Sequence, residues 1–284
     1  MQTKLMYGFF CALFALALPI LASAHQPRLV ETERTSVPDP EISKAYYGEL
    51  GDEAEVYTIF SGTSFNLYVN ILVPDIEGQS TEVNVAIVNS ETNKTLATFT
   101  GNESEWERMW EEFGRDWYLQ GPEFRETVKA GSYEVRVSSA EPDTKYVLAI
   151  GEKEAFDAAE AYHAVTLIPY LKKEFFETSP ATFLLSPFGW GFALVMYIFA
   201  FVLAWVLHKI LSKVYAGTSR GAPKNVGKKD RIIRAGVAVG LFVFAVFTCW
   251  HPLLFLVSGI VLYTAIRNWC WLYSLINVST WRKF

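Results

Sequence analysis

Between His25 and Glu177 the chain has no cysteine and only two histidines, His25 and His163. That excludes a disulfide, a thiol nucleophile and a cysteine-histidine zinc cluster from this stretch, whose stability must rest on a core of its own. Gly-x-Ser-x-Gly, His-Glu-x-x-His and a glycine-rich phosphate loop are missing too, so no serine hydrolase, zinc protease or nucleotide-binding motif is present. Carboxylates are plentiful, 29 Asp/Glu against 13 Lys/Arg, but no two stand out as an acid-base pair. So acidic a segment excludes nucleic acid as a partner. From Thr178 to His208 fixed charge is absent altogether, a run longer than the roughly 20 residues that cross a bilayer core.

What is present fills in an order along the chain. "MQTKLMYGFFCALFALALPILASA" has one lysine, an apolar core and Ala22-Ser23-Ala24 at its end, the pattern of a signal peptide over residues 1–24 with His25 as the first mature residue. Residues 25–152 read as an exported β-sandwich, 153–177 as a membrane-proximal helix, 178–208 as a first transmembrane helix and 209–231 as a basic loop. Two further apolar runs, Ala235 to Trp250 and Leu253 to Ile266, flank His251-Pro252 and complete a two-helix hairpin over 232–284, giving three spans. Lys209 to Arg234 holds eight basic residues against Asp230 alone, which places that loop and the C-terminus on the cytoplasmic side and the acidic domain outside. Lys228, Lys229, Arg231 and Arg234 are then membrane-surface cations, and Asp230 pairs with Arg234 one helical turn on.

The exported part alternates. In "SYEVRV", Tyr133, Val135 and Val137 share one face and Ser132, Glu134 and Arg136 the other, the period of a half-buried strand. Seven or eight such runs between Glu53 and Gly151 predict an antiparallel, jelly-roll-like sandwich. One insertion, residues 102–124, departs from the pattern: Trp106, Trp110 and Phe113 recur at helical spacing among glutamates, which predicts an amphipathic helix capping the domain. Its aromatics are the best candidate ligand surface, with Trp106, Trp110, Trp117 and Tyr118 as the platform and Asp116 and Glu123 as polar partners for a glycan or an envelope protein. After the last strand, "EKEAFDAAEAYHAVTLIPYLKKEFF" reads as helix between sandwich and membrane, first of all a plain stalk and alternatively one that sets Lys172, Lys173, Phe175 and Phe176 at the headgroups.

An N-terminal His25 would offer an α-amine and a ring nitrogen, a chelate suited to copper if His163 supplied a second ligand. His163 falls on the predicted helix rather than a strand. No cofactor other than copper is indicated.

Two resemblances add to this. "AGSYEVRVSSAEPDTKYVLAIG" resembles the closing hairpin of bacterial jelly-roll modules of the pre-peptidase C-terminal type, which implies a binding or accessory domain. The tail resembles the YgaP-like transmembrane domain, on Asn225, Gly227, Asp230, Arg231 and Arg234 before its first helix and Cys270, Leu272, Tyr273 and Thr280 after its second. That resemblance implies a two-helix inner-membrane module. The family usually has Pro after its cysteine and Gly before its last segment, where this chain has Trp271 and Asn277. The rhodanese that often accompanies the module is missing, so a sulfurtransferase role does not follow. Gly236, Gly240 and Gly259 are placed to let helices pack closely, and a homo-oligomer is compatible with three spans. The leading expectation is a non-enzymatic inner-membrane protein that binds an envelope ligand; the alternatives are a copper-handling protein and a small-solute or thiol transporter centred on Cys270.

Overall fold

The computed structural model describes residues 25–281; the leader expected at 1–24 lies outside the described residues. Two compact units part between Thr178 and Ser179.

The first unit is mainly β. Eleven strands run β1 (Gln26–Leu29), β2 (Arg34–Val37), β3 (Lys44–Leu50), β4 (Glu55–Ser61), β5 (Phe65–Pro74), β6 (Val83–Asn89), β7 (Lys94–Phe99), β8 (Glu107–Glu111), β9 (Asp116–Val128), β10 (Gly131–Ser139) and β11 (Thr144–Ile150). They form a six-stranded sheet ordered β1-β3-β11-β5-β9-β8 and a five-stranded sheet ordered β2-β4-β10-β6-β7. One core lies between them. Alternation builds it: Tyr133, Val135 and Val137 of β10 meet Leu67, Val69, Ile71 and Val73 of β5 and Tyr146, Leu148 and Ile150 of β11. At the near-complete burial of these side chains, each contributes on the order of 1.5–3 kcal/mol.

The expected all-antiparallel order fails at two edges, where β1 runs parallel to β3 and β2 parallel to β4. The N-terminal arm explains this: it lines the edge of one sheet and then of the other, so neither pair is joined by a tight hairpin.

The outer face of the six-stranded sheet is covered by α1 (Ala158–Glu174). Asp157 caps it, its side chain accepting from the amides of Ala159 and Glu160. Leu171 on α1, with Phe175 and Phe176 just beyond it, packs on Ala45, Leu72, Tyr118, Val147 and Ala149. Phe175, Phe176 and Lys172 are therefore buried in this unit and not at headgroups; of the four residues expected there, only Lys173 has an exposed side chain.

The second unit is helical. A short 3-10 turn (Pro180–Leu185) precedes α2 (Pro187–Val214), which Ser186 caps by accepting from the amide of Gly189, with Pro187 at the first helical position. It is followed by α3 (Lys228–Thr248), α4 (Pro252–Arg267) and the short α5 (Trp271–Ile276). Two of these, α2 and α3, are long and apolar enough to cross a membrane; α4, with 16 residues, is apolar but shorter. Helix α4 packs against both of the others. Ser258 donates to the carbonyl of Ala238 (2.7 Å) and shares a hydrogen bond with Tyr197 (2.6 Å), so one hydroxyl links α4, α3 and α2. Gly259 allows the approach: a Cβ there would stand 2.6 Å from that of Ala200. Gly236 and Gly240, expected to do the same, face nothing within 4 Å.

Candidate functional site

The stretch 102–124 is not a helix. A 3-10 turn at Gly101–Glu103 leads into β8 and β9, a hairpin at the end of the six-stranded sheet in which Trp110 opposes Trp117 and Met109 opposes Tyr118. Pairing decides it: β9 is 13 residues long and aligns with β5 through most of its length, and the ladder outweighs a weak local helical tendency.

The hairpin sorts the predicted residues to different places. Trp106 turns toward the inter-sheet core, its indole N–H donating to the carbonyl of Gly101 (3.0 Å) and its ring lying where a side chain at Gly121 would otherwise be. Tyr118 faces the other way, buried under α1, with its hydroxyl 3.0 Å from that of Tyr47. Asp116 is buried as well: Lys172, with no exposed surface, donates to both of its carboxylate oxygens at 2.8 Å and to the carbonyls of Gly114 and Arg115. Burial pushes the Asp116 carboxyl up and the Lys172 ammonium down, each opposed by the other's charge. Neither Asp116 nor Tyr118 is open to a ligand. Glu123 is, accepting from Tyr68 (3.0 Å), but it lies well along β9 from the hairpin tip.

Trp117 remains exposed with Trp110 half-buried beside it, ring centroids 5.0 Å apart and planes tilted by 56°. Two arginines flank them: the Arg108 guanidinium lies 4.1 Å above Trp117 and that of Arg115 5.3 Å above Trp110. Arg108 is held by Asp75, to which its Nε donates at 2.5 Å. Sequence pattern had shown the indoles but not the arginines, because stacking across a hairpin depends on the pairing register rather than on spacing along the chain.

The histidines do not converge. His25 bonds Ser43 through Nδ1, while His163 is exposed on α1. Gln26 reaches the carbonyl of Ala155 and Arg28 pairs with Glu160 at 2.7 Å, so β1 runs toward His163 only as it leaves His25. Among the described residues no group of three His, Cys, Asp or Glu side chains is placed to hold a metal ion.

In the helical unit the basic residues divide. Lys228 and Lys229 are exposed. Arg234 is turned inward onto Asp230 (2.7 Å), the hydroxyl of Thr264 and the Tyr273 ring, and Arg231 donates to the carbonyl of Ala265 (2.7 Å). The latter two are fasteners, not free headgroup cations. Around them Asn225 bonds both backbone groups of Cys270 and the hydroxyl of Ser274, while Thr280 bonds Gly227 and Asp230. The two ends of the α3-α4 pair are thereby tied together, with Cys270 buried among them.

These fasteners lie within a stretch that matches a known module. Residues 222–283 match the family of the inner membrane protein YgaP-like transmembrane domain. With the two long apolar helices, the YgaP-like match marks the helical unit as a membrane domain of the inner-membrane type. The two departures from the family pattern are conservative in backbone terms. Trp271 is the first residue of α5, where Pro is favoured but not needed, and Asn277 ends α5 in the left-handed region (φ 57°), which Asn tolerates in place of Gly.

For the β unit the likenesses are weaker. The pre-peptidase C-terminal domain of a Bacillus anthracis collagenase aligns over 45% of this chain and 96% of its own length, at 13% identity and a TM-score of 0.25. A β-glucosidase from Kluyveromyces marxianus in complex with glucose aligns over 40% of this chain at 18% identity and a TM-score of 0.24, and one from Paenibacillus barengoltzii over 45% at 13% and 0.21; only 12% and 13% of those enzymes are covered. Likenesses of this strength carry nothing about activity. No curated protein matches the sequence.

Proposed function

We propose that this is a non-enzymatic inner-membrane protein whose β-sandwich is exported and binds an envelope ligand through the Trp110-Trp117 face of the β8-β9 hairpin, the face opposite Tyr118, with α2, α3 and α4 as three spans. The observation that carries the reading is the pair of exposed Trp117 and half-buried Trp110 with a guanidinium over each ring. Indoles left at a surface and pinned by stacked cations are rigid contact area, ready-ordered for binding. The charge map supports the orientation: the β domain carries the acid, while Lys209 and Lys213 lie in the last turns of α2 and Arg220 and Lys224 in the loop that follows it.

The test is a binding screen of the full chain in lipid nanodiscs against envelope glycans and peptides, read by calorimetry and by product analysis. Saturable binding that disappears in Trp110→Ala/Trp117→Ala is the expected result. Binding retained by that double variant, or turnover of a bound probe, would overturn the site or the non-enzymatic reading respectively.

A further inference from the structure

The hairpin is acidic by sequence and basic on one face. From 105 to 116 the chain holds Glu105, Glu107, Glu111, Glu112 and Asp116 against Arg108 and Arg115, and by composition alone it would repel an anion. The pleat separates the signs. Glu107 and Glu111 alternate with Arg108 and Trp110 on β8, and Asp116 alternates with Trp117 on β9. Asp116 is consumed by Lys172, and the Glu111 carboxylate accepts from the amides of Phe113 and Gly114, both at 2.6 Å. The opposite face presents a stack of Arg115, Trp110, Trp117 and Arg108, with a cation at either end.

Two features of the arginines are hard to explain as packing. Arg115 has no carboxylate partner among the described residues, in a domain where acids outnumber bases more than two to one. Its backbone also stands in the left-handed region, φ 62°, where a side chain other than Gly or Asn costs roughly 1–2 kcal/mol. Gly would fit that turn better. Arg108 uses only Nε on Asp75, leaving its two terminal nitrogens directed elsewhere.

Resting on the binding reading above, we infer that the ligand of this face is an anionic saccharide, its carboxylate or phosphate groups taken by the guanidinium forks of Arg115 and Arg108. The forks match planar oxyanions in a bidentate way that an ammonium does not. The indoles between them, tilted 56° to one another, give a rigid aromatic wall for the sugar units that lie between charges. Stacked guanidiniums keep N–H edges free while their faces are covered: Arg115 has no carboxylate against it among the described residues, and Arg108, paired with Asp75 through Nε, keeps its two terminal nitrogens open.

The experiment is calorimetric titration of the full chain in uncharged detergent with four probes of similar length: a carboxylated oligosaccharide (oligogalacturonate), a phosphorylated oligosaccharide, a neutral oligosaccharide and oligoglutamate. Either anionic sugar should bind, less tightly as salt rises, and the stronger of the two identifies the anion. Arg115→Gly should weaken that binding by about tenfold or more, and Arg115→Lys by nearly as much. Because Gly suits the φ of that turn, loss in Arg115→Gly cannot be put down to misfolding. Equal binding of the neutral sugar, preferential binding of oligoglutamate, or full affinity in Arg115→Gly would overturn the inference. If the neutral sugar bound and Trp117→Ala abolished it, the wider reading would stand while this one fell. Failure of both anionic sugars to bind would overturn this one as well.

Discussion

Lys172 shows how far one side chain can differ from its sequence reading. In "YLKKEFF" it looks like a snorkelling lysine, yet it is fully buried and ties α1 to the turn of the β8-β9 hairpin through Asp116. Replacing it with methionine leaves an unpaired buried carboxylate, which costs about 3–5 kcal/mol, a large part of a domain's stability. Denaturant unfolding of the Lys172→Met chain, followed by near-UV signal, should show that loss, and Lys172→Met/Asp116→Leu should recover much of it. A second buried acid, Glu55, sits in the inter-sheet core and accepts from Tyr146, whose hydroxyl lies 2.5 Å from that of Tyr57. Burial raises its pKa above the ordinary carboxylate value, against the hydrogen bond from Tyr146. The folded state therefore holds the proton to higher pH than the unfolded chain, so this group's stability is present at low pH and is lost as pH rises through that raised value. Glu55→Gln should make the ratio of variant to parent stability climb between pH 4 and pH 7; a flat ratio in denaturant melts would show that Glu55 is ionised without penalty.

At the scale of elements, legibility followed periodicity. The runs "FNLYVNILVP", "GSYEVRVSSA" and "TKYVLAIG" correspond to β5, β10 and β11 because strict alternation has one reading. The hairpin was misread because Trp106 and Trp110 are four residues apart, an interval that puts two side chains on one face of a helix and equally on one face of a strand. Only the pairing with β5 separates the two. The arm strands β1 and β2 are four residues each and join sheets far away in sequence, which no local pattern reports. Half of the candidate surface, Trp110 and Trp117, is visible in the sequence as aromatics in an insertion that departs from the strand pattern. Its arginines and the burial of Asp116 are not, since both depend on which face each residue takes. Among the helices the three glycines separate the same way. Gly259→Ala should push α4 from Ala200 and lower the unfolding temperature in detergent, while Gly240→Ala meets open space and should leave it unchanged or slightly higher. Equal effects at both would mean that α2 and α4 do not pack as described.

The whole molecule combines an acidic β unit with a basic helical one, and within the helical unit α4 is the shortest of the three expected spans. At 1.5 Å per residue a helix the length of α4 spans about 24 Å, short of the roughly 30 Å hydrocarbon core. Short spans are accommodated by local thinning and by flanking residues that reach the interface. Arg267 closes α4 at one end and His251-Pro252 opens it at the other, with Trp250 buried in the turn and hydrogen-bonded to the carbonyls of Pro180 and Val246. The two cysteines among the described residues mark the ends of α4: exposed Cys249 lies before it and buried Cys270 after it. If α4 crosses with the basic loop inside, a membrane-impermeant maleimide applied to intact inner-membrane spheroplasts should label Cys249 and spare Cys270, and the signal should vanish in Cys249→Ser. A Ser219→Cys change in the loop between α2 and α3 should react only after the membrane is opened, since the basic charge of that loop holds it inside. Labelling of Ser219→Cys from outside would invert the orientation and put the acidic domain, with its guanidinium-capped indoles, in the cytoplasm, where an envelope saccharide could not reach it.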